Sequence, residues 1–267
     1  MEMINFENKL IAIYDYIAKH KDEEQFKKEY DLYIQRDKKA DDLFAFITNC
    51  FDFNKLPKVA SKEFDFSKFR TMYRGAPKKT YHANLLVDTS DRYFGTGVHG
   101  NGIYCTSDKD LADFYMHRSN GGDTMEMFLM TSQVTSSKML QQYSEFLRGG
   151  SEEFKEIQTV DFLNNSSTTL TSEYSKQRLE ALKAFLDRIK DTEIKEKYLH
   201  ALERDLSKLA IILGYDAITV FPGKDKSVIV LNRNKITVSK QEYDRIYDKE
   251  EKMLRPFKPQ NEICLDY

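Results

Sequence analysis

Apolar residues three and four positions apart open the chain. Phe6, Leu10, Ile13, Tyr14 and Ile17 form one stripe, Phe26, Tyr30 and Ile34 a second, and Leu43, Phe44, Ile47, Cys50 and Phe51 a third. That spacing puts each set on one face of a helix, with Lys, Asp and Glu filling the solvated faces. Pro57 closes the stretch, so residues 1–56 read as a helical subdomain. The period then changes. Phe69 to Gly75 reads as a strand running into a glycine, and residues 76–99, with Pro77 and Gly95-Thr-Gly97, as loop. Gly100 and Gly102 suit a turn with positive φ; Ile103 and Tyr104 have strand character, and Thr106 or Ser107 can cap a helix starting near Asp108. Thr124 to Met130 alternates weakly as a strand, whereas residues 138–170 show no clear period. Leu179, Leu182, Leu186 and Ile189 predict a helix, and Leu199, Leu202, Leu206, Leu209 and Leu213 another that stops at Gly214. Residues 216–221 and 227–231 read as two strands joined by Pro222 to Lys226, with a last short strand at Lys235 to Val238 and an extended tail from Lys249.

Composition narrows the classes. The 267 residues are 40% hydrophobic, enough for one good core with a small appended unit. Charged residues make up 31% yet sum to a net charge of −2, so no global basic field attracts nucleic acid. The three cysteines, Cys50, Cys105 and Cys264, lack metal-like spacing and fit a fold that does not rely on disulfides. No apolar run is long enough to insert into a bilayer, and the acidic N-terminus does not read as a cleaved signal. The expectation is a cytoplasmic protein, or one delivered into a target cell without a cleaved signal peptide.

The candidate chemistry lies in three short segments, each at the end of a predicted strand: Tyr73-Arg74-Gly75, then Gly102-Ile-Tyr104 followed by Tyr115, then Ser227-Val-Ile-Val-Leu-Asn232. Their order resembles the ADP-ribosyltransferase superfamily of bacterial toxins, phage transferases and poly(ADP-ribose) polymerases. The middle segment is similar to the polymerase and diphtheria-toxin branch. Arg74 looks like the arginine-type toxins, and Leu213-Gly-Tyr-Asp-Ala-Ile-Thr219 with Val-Leu-Asn-Arg233 is similar to phage-type transferases. The resemblance spans roughly residues 69–238. It implies an α+β fold, a split β-sandwich clasping NAD, with the helical subdomain at 1–56 and a transferase-like domain at 57–267 that carries a helical insertion at about 140–213.

Carried over position by position, the resemblance gives Arg74 the ribose or phosphate side of NAD and Gly75 the nicotinamide carboxamide through its backbone. It gives Gly102 the turn, Tyr104 and Tyr115 the nicotinamide ring, and Thr106 or Ser107 the propping hydroxyl. These side chains are expected to converge around a slot for a pyridine ring and its pyrophosphate. The implied reaction is transfer of ADP-ribose from NAD, as co-substrate and without a metal, to a macromolecular acceptor, protein or nucleic acid. Nicotinamide leaves; a toxin of this kind would also meet an antitoxin or immunity partner.

One departure stands out. Cleaving the nicotinamide–ribose bond develops an oxocarbenium-like centre, which the family steadies with a glutamate near the head of the penultimate strand. Here Ser227 holds that place, with Asp225 the nearest acid and Glu173 a remote one. Asp225 and Ser227 are therefore the catalytic candidates beside Arg74. Ser227 also leaves open a weakened module that binds NAD or ADP-ribose, and a non-enzymatic phage structural or interaction domain. Other chemistries read less well. The five histidines are scattered, Cys105 lacks a histidine tied to it by motif, and Gly95-Thr-Gly-Val-His-Gly100 echoes a dinucleotide fingerprint without the strand that should precede it.

Overall fold

The structure, a computed structural model, describes residues 2–23, 38–61, 63–76, 80–87, 96–97, 100–116, 122–155, 159–163, 166–168, 173–220 and 227–247. The second predicted helical stripe, the 222–226 connection with Asp225, and the tail lie outside these residues. Helix α1 (Glu2–Lys19) and helix α2 (Lys38–Cys50) bury the expected Phe6, Leu10, Ile13, Ile17, Leu43, Phe44 and Ile47. Strand β1 (Lys58–Ala60), a single 3-10 turn at Phe66–Lys68 and β2 (Thr71–Ala76) follow. Helix α3 (Thr80–Val87) corrects the loop expected there. Its periodicity was hidden by polar neighbours, but Ala83, Leu85 and Leu86 are buried on one side.

Short β3 (Thr96–Gly97) and β4 (Gly100–Asn101) lead into β5 (Ile103–Thr106) and α4 (Lys109–Met116). Then come β6 (Asp123–Leu129), β7 (Val134–Ser136), α5 (Ser137–Leu147), and the pair β8 (Thr159–Asp161) and β9 (Ser166–Thr168). Helix α6 (Glu173–Arg188) is as expected, but the next predicted helix is two, α7 (Thr192–Arg204) and α8 (Leu206–Leu213). Asp205 breaks it. Its backbone is extended, its carboxylate accepts the Ser207 N–H to start α8, and Gly214 ends α8 in the left-handed conformation. Strands β10 (Ala217–Thr219), β11 (Ser227–Val230) and β12 (Ile236–Ser239) and helix α9 (Lys240–Tyr247) complete the described chain.

The result is an α+β fold on a mixed eight-stranded sheet, ordered β1-β12-β6-β2-β5-β11-β10-β7. Strands β2 and β6 pair over six residues, whereas β2 meets β5 through the one pair Tyr73 and Thr106. The sheet is thus two half-sheets of four strands joined at a seam with a single paired position. Helices α1, α2 and α5 to α8 form one apolar layer with the inward residues Ile218, Ile229 and Leu231. The helices before Pro57 therefore share their core with those of 137–213. The opposite face carries Ile103, Cys105, Met125, Met127, Val228 and Val230 under α3 and α9.

Beyond β12 the edge of β6 is satisfied by side chains. Glu242 accepts the Glu126 N–H at 2.9 Å, and Arg245 donates to the Thr124 carbonyl at 2.8 Å. Among the described residues no helix is long and apolar enough to cross a membrane.

Candidate functional site at the fork between half-sheets

Antiparallel register decides what the fork brings together. Extending the Tyr73–Thr106 register outward sets Gly75 opposite Tyr104 and Arg74 opposite Cys105. Side chains alternate along a strand, and paired residues share a face. Glu126, Tyr73, Thr106 and Ser227, paired in turn on β6, β2, β5 and β11, therefore form one polar row across four strands.

Helix α4 lies on that face. A Cβ at Gly75 would stand 1.9 Å from the Ala112 carbonyl oxygen, so only glycine admits the helix. Thr124, the β6 partner of Gly75, donates its hydroxyl to Asp113 of α4 at 2.7 Å. The helix is capped by Asp108, whose carboxylate accepts the Leu111 N–H at 3.3 Å; the predicted cap Thr106 instead accepts the Asp108 N–H at 3.1 Å. Thr106 thereby fixes the turn from β5 into α4, with Ser107 half-buried within it.

Tyr115 follows Ala112 by three residues, one turn farther along the side that meets β2. It is 48% exposed, and its ring stands edge-on to the exposed Phe114 at 5.7 Å. Tyr104 packs on the margin of the helical core and donates its hydroxyl to the Gly100 carbonyl at 2.9 Å. Gly102 has φ +149° and is buried; a Cβ there would strike Ile229 Cγ2 at 2.0 Å. Its glycine is thus required by the packing of β11. Gly100 (φ +114°) similarly lies against Asp205, whose carboxylate accepts from the Asn101 side chain at 2.7 Å and from Lys208 at 3.4 Å.

Arg74 leaves the other face of β2. Its Nη1 donates to the Tyr81 carbonyl at 3.2 Å and meets His82 Nδ1 at 3.1 Å, both on α3. The structure brings Gly75, Tyr104 and α4 with Tyr115 to one side of the fork and turns Arg74 to the opposite side. The convergence of Arg74 with Tyr104 and Tyr115 expected from the sequence is therefore not found, because alternation along β2 sends Arg74 to the α3 face.

Two residues here escaped the sequence reading. His82 is fully buried, with Nε2 2.9 Å from the Asp123 carbonyl oxygen. Burial, with the Arg74 cation beside it, pushes its pKa down to about 3. Glu126 is the acid end of the polar row, and its carboxylate makes no ion pair among the described residues. Although Glu126 is exposed, loss of part of its hydration, then the nearby Glu242 carboxylate, raise its pKa. Strand pairing, invisible without β6 in register, was the missing signal for both.

Two further segments meet in the interior. Asp216 accepts from the Asn232 amide at 2.7 Å and from the Thr131 hydroxyl at 2.6 Å, while Arg233, fully buried, donates to the Leu85 carbonyl at 2.6 Å. The Gly-Tyr-Asp and Leu-Asn-Arg motifs are thereby joined as scaffold behind the fork. Cys105 is buried and its thiol pKa is pushed up by that burial. Among the described residues no group of three His, Cys, Asp or Glu is placed to hold a metal ion.

The fold and this site define an α+β protein with a polar, aromatic-flanked fork at the centre of its sheet. Comparison with family models, with curated proteins and with solved structures gave no match.

Proposed function

We propose that the protein is a mono-ADP-ribosyltransferase, moving ADP-ribose from NAD to a macromolecular acceptor, protein or nucleic acid, with release of nicotinamide. The observation that carries this reading is the single-pair seam between β2 and β5, with Gly75 in register with Tyr104 and Arg74 on the far face of β2. Tyr104 and the half-exposed Tyr115 supply aromatic surface on the α4 side of this seam. Arg74 supplies a charged fork suited to phosphate oxygens on the α3 face of the sheet. The split-sandwich architecture of the transferases is supported by the single-pair seam between the half-sheets. Ser227 opposite Thr106 is where the resemblance sets the family's glutamate, and the row it heads ends at the carboxylate of Glu126.

Ser227 itself favours a second reading, an NAD-binding module without efficient transfer, because a hydroxyl brings no negative charge to a cationic ribose. Nicotinamide release from NAD separates the two. Wild-type protein is expected to release it, and Arg74→Ala to lower kcat/KM on the order of 10- to 100-fold, the worth of a charged hydrogen bond. Tight NAD binding by calorimetry without release would select the module; equal rates for wild type and Arg74→Ala would remove Arg74 from the mechanism.

A further inference from the structure

We propose that His82 is a positioning residue for Arg74, the end of a relay that runs from α9 through Arg245 and Asp123 to the candidate NAD site. The inference rests on the transferase reading and names what orders its arginine.

The hydrogen-bond arithmetic fixes the imidazole. The Asp123 carbonyl can only accept, so His82 Nε2, 2.9 Å away, must carry the proton. Nδ1 is then a lone pair, and the only polarity left at 3.1 Å is donation from Arg74 Nη1. That same Nη1 reaches the Tyr81 carbonyl at 3.2 Å, so both its hydrogens have acceptors on α3. A guanidinium tied at one nitrogen by two acceptors from one helix cannot swing about its terminal bonds.

Asp123 is held in its turn. Arg245 Nη1 bonds both its carboxylate oxygens at 2.9 Å, and Arg245 Nε bonds Glu242 at 2.7 Å. A neutral imidazole suits this place, since an imidazolium would set two cations in contact out of water. Flexible arginines lose side-chain entropy when they bind phosphate, and an arginine already fixed has less to lose.

Two substitutions divide the relay. His82→Gln leaves a donor near the Nε2 position for the Asp123 carbonyl and removes the acceptor for Arg74. His82→Asn leaves an acceptor near the Nδ1 position and withdraws from Asp123. With circular dichroism confirming that both are folded, His82→Gln is expected to raise KM for NAD roughly tenfold with little change in kcat, as for lost uniform binding. His82→Asn is expected to recover most of that loss.

Nitrogen-15 spectra of the imidazole supply a readout independent of turnover. They should show protonated Nε2 and bare Nδ1 throughout about pH 5 to 8, and an Nδ1 shift that moves in Arg74→Met. A His82 that titrates in that range, an Nδ1–H tautomer, or an Nδ1 shift indifferent to Arg74→Met would overturn the relay. Unchanged KM in folded His82→Gln would overturn the positioning role while leaving the transferase standing. If wild-type protein released no nicotinamide, the transferase reading would fall, and the spectra alone would decide the Arg74–His82 contact.

Discussion

Replacing Gly75 by alanine is the sharpest test of how the fork is built. The added methyl would begin 1.9 Å from the Ala112 carbonyl oxygen and 2.8 Å from its carbon, both backbone atoms inside a helix. Neither can rotate away, so α4 must lift by roughly 1.5 Å to regain ordinary contact. Overpacking of this kind costs about 1–3 kcal/mol. Lifting α4 also stretches the Thr124–Asp113 hydrogen bond, now 2.7 Å, for about 1 kcal/mol more. The expected loss is therefore about 2–4 kcal/mol, or roughly 5–15 °C in Tm for a chain of this size. The chain has no tryptophan, so urea and thermal unfolding are best followed by far-ultraviolet circular dichroism. The informative control is the double variant with Ala112→Gly. Because the obstacle is a carbonyl, deleting the Ala112 methyl should recover nothing. Gly75→Ala as stable as wild type, or rescue by Ala112→Gly, would show that α4 does not sit on β2 as described.

Other outcomes follow from the same contacts. His82, with its folded pKa near 3 against the ordinary 6.5, is protonated more readily in the unfolded chain, so stability is intact above about pH 6.5 and falls as pH drops toward 3. Between pH 7 and pH 5 that is about 2 kcal/mol by the linkage slope, visible as a lower urea midpoint in wild type and absent in His82→Gln. Cys105 should resist thiol reagents at a rate set by unfolding, while half-buried Cys50 labels in the native state; mass spectrometry after timed labelling would tell, and rapid native labelling of Cys105 would contradict its burial. Asn232→Leu should cost about 1–3 kcal/mol by leaving one Asp216 oxygen without its amide, read from the shift in urea midpoint.

Much of the architecture was legible because it depends on local pattern. The stripes in α1, α2 and α6, the glycine stop at Gly214 and the hairpin strands at 217–219 and 227–230 were all readable from spacing. Failures came where a distant partner decides. The helix running to Gly214 breaks because Asp205 is drawn to Asn101, more than a hundred residues away. Helix α3 forms where the local sequence reads as loop, and its His82 looked like one of several scattered histidines until β6 placed Asp123 beside it. Gly75 was expected to offer its backbone to nicotinamide, and Gly102 to form the turn. Their space is taken by Ala112 and Ile229, so the glycines are explained by close packing of α4 and β11. The row from Glu126 to Ser227 could not be read at all without strand register.

Counted by ladder rungs, the sheet is weakest at the seam between β2 and β5. Prising β2 from β6 would sacrifice six paired positions, while parting β2 from β5 sacrifices one. The two halves of the sheet can therefore shift against one another at this seam with less loss of ladder bonding than along β2 and β6.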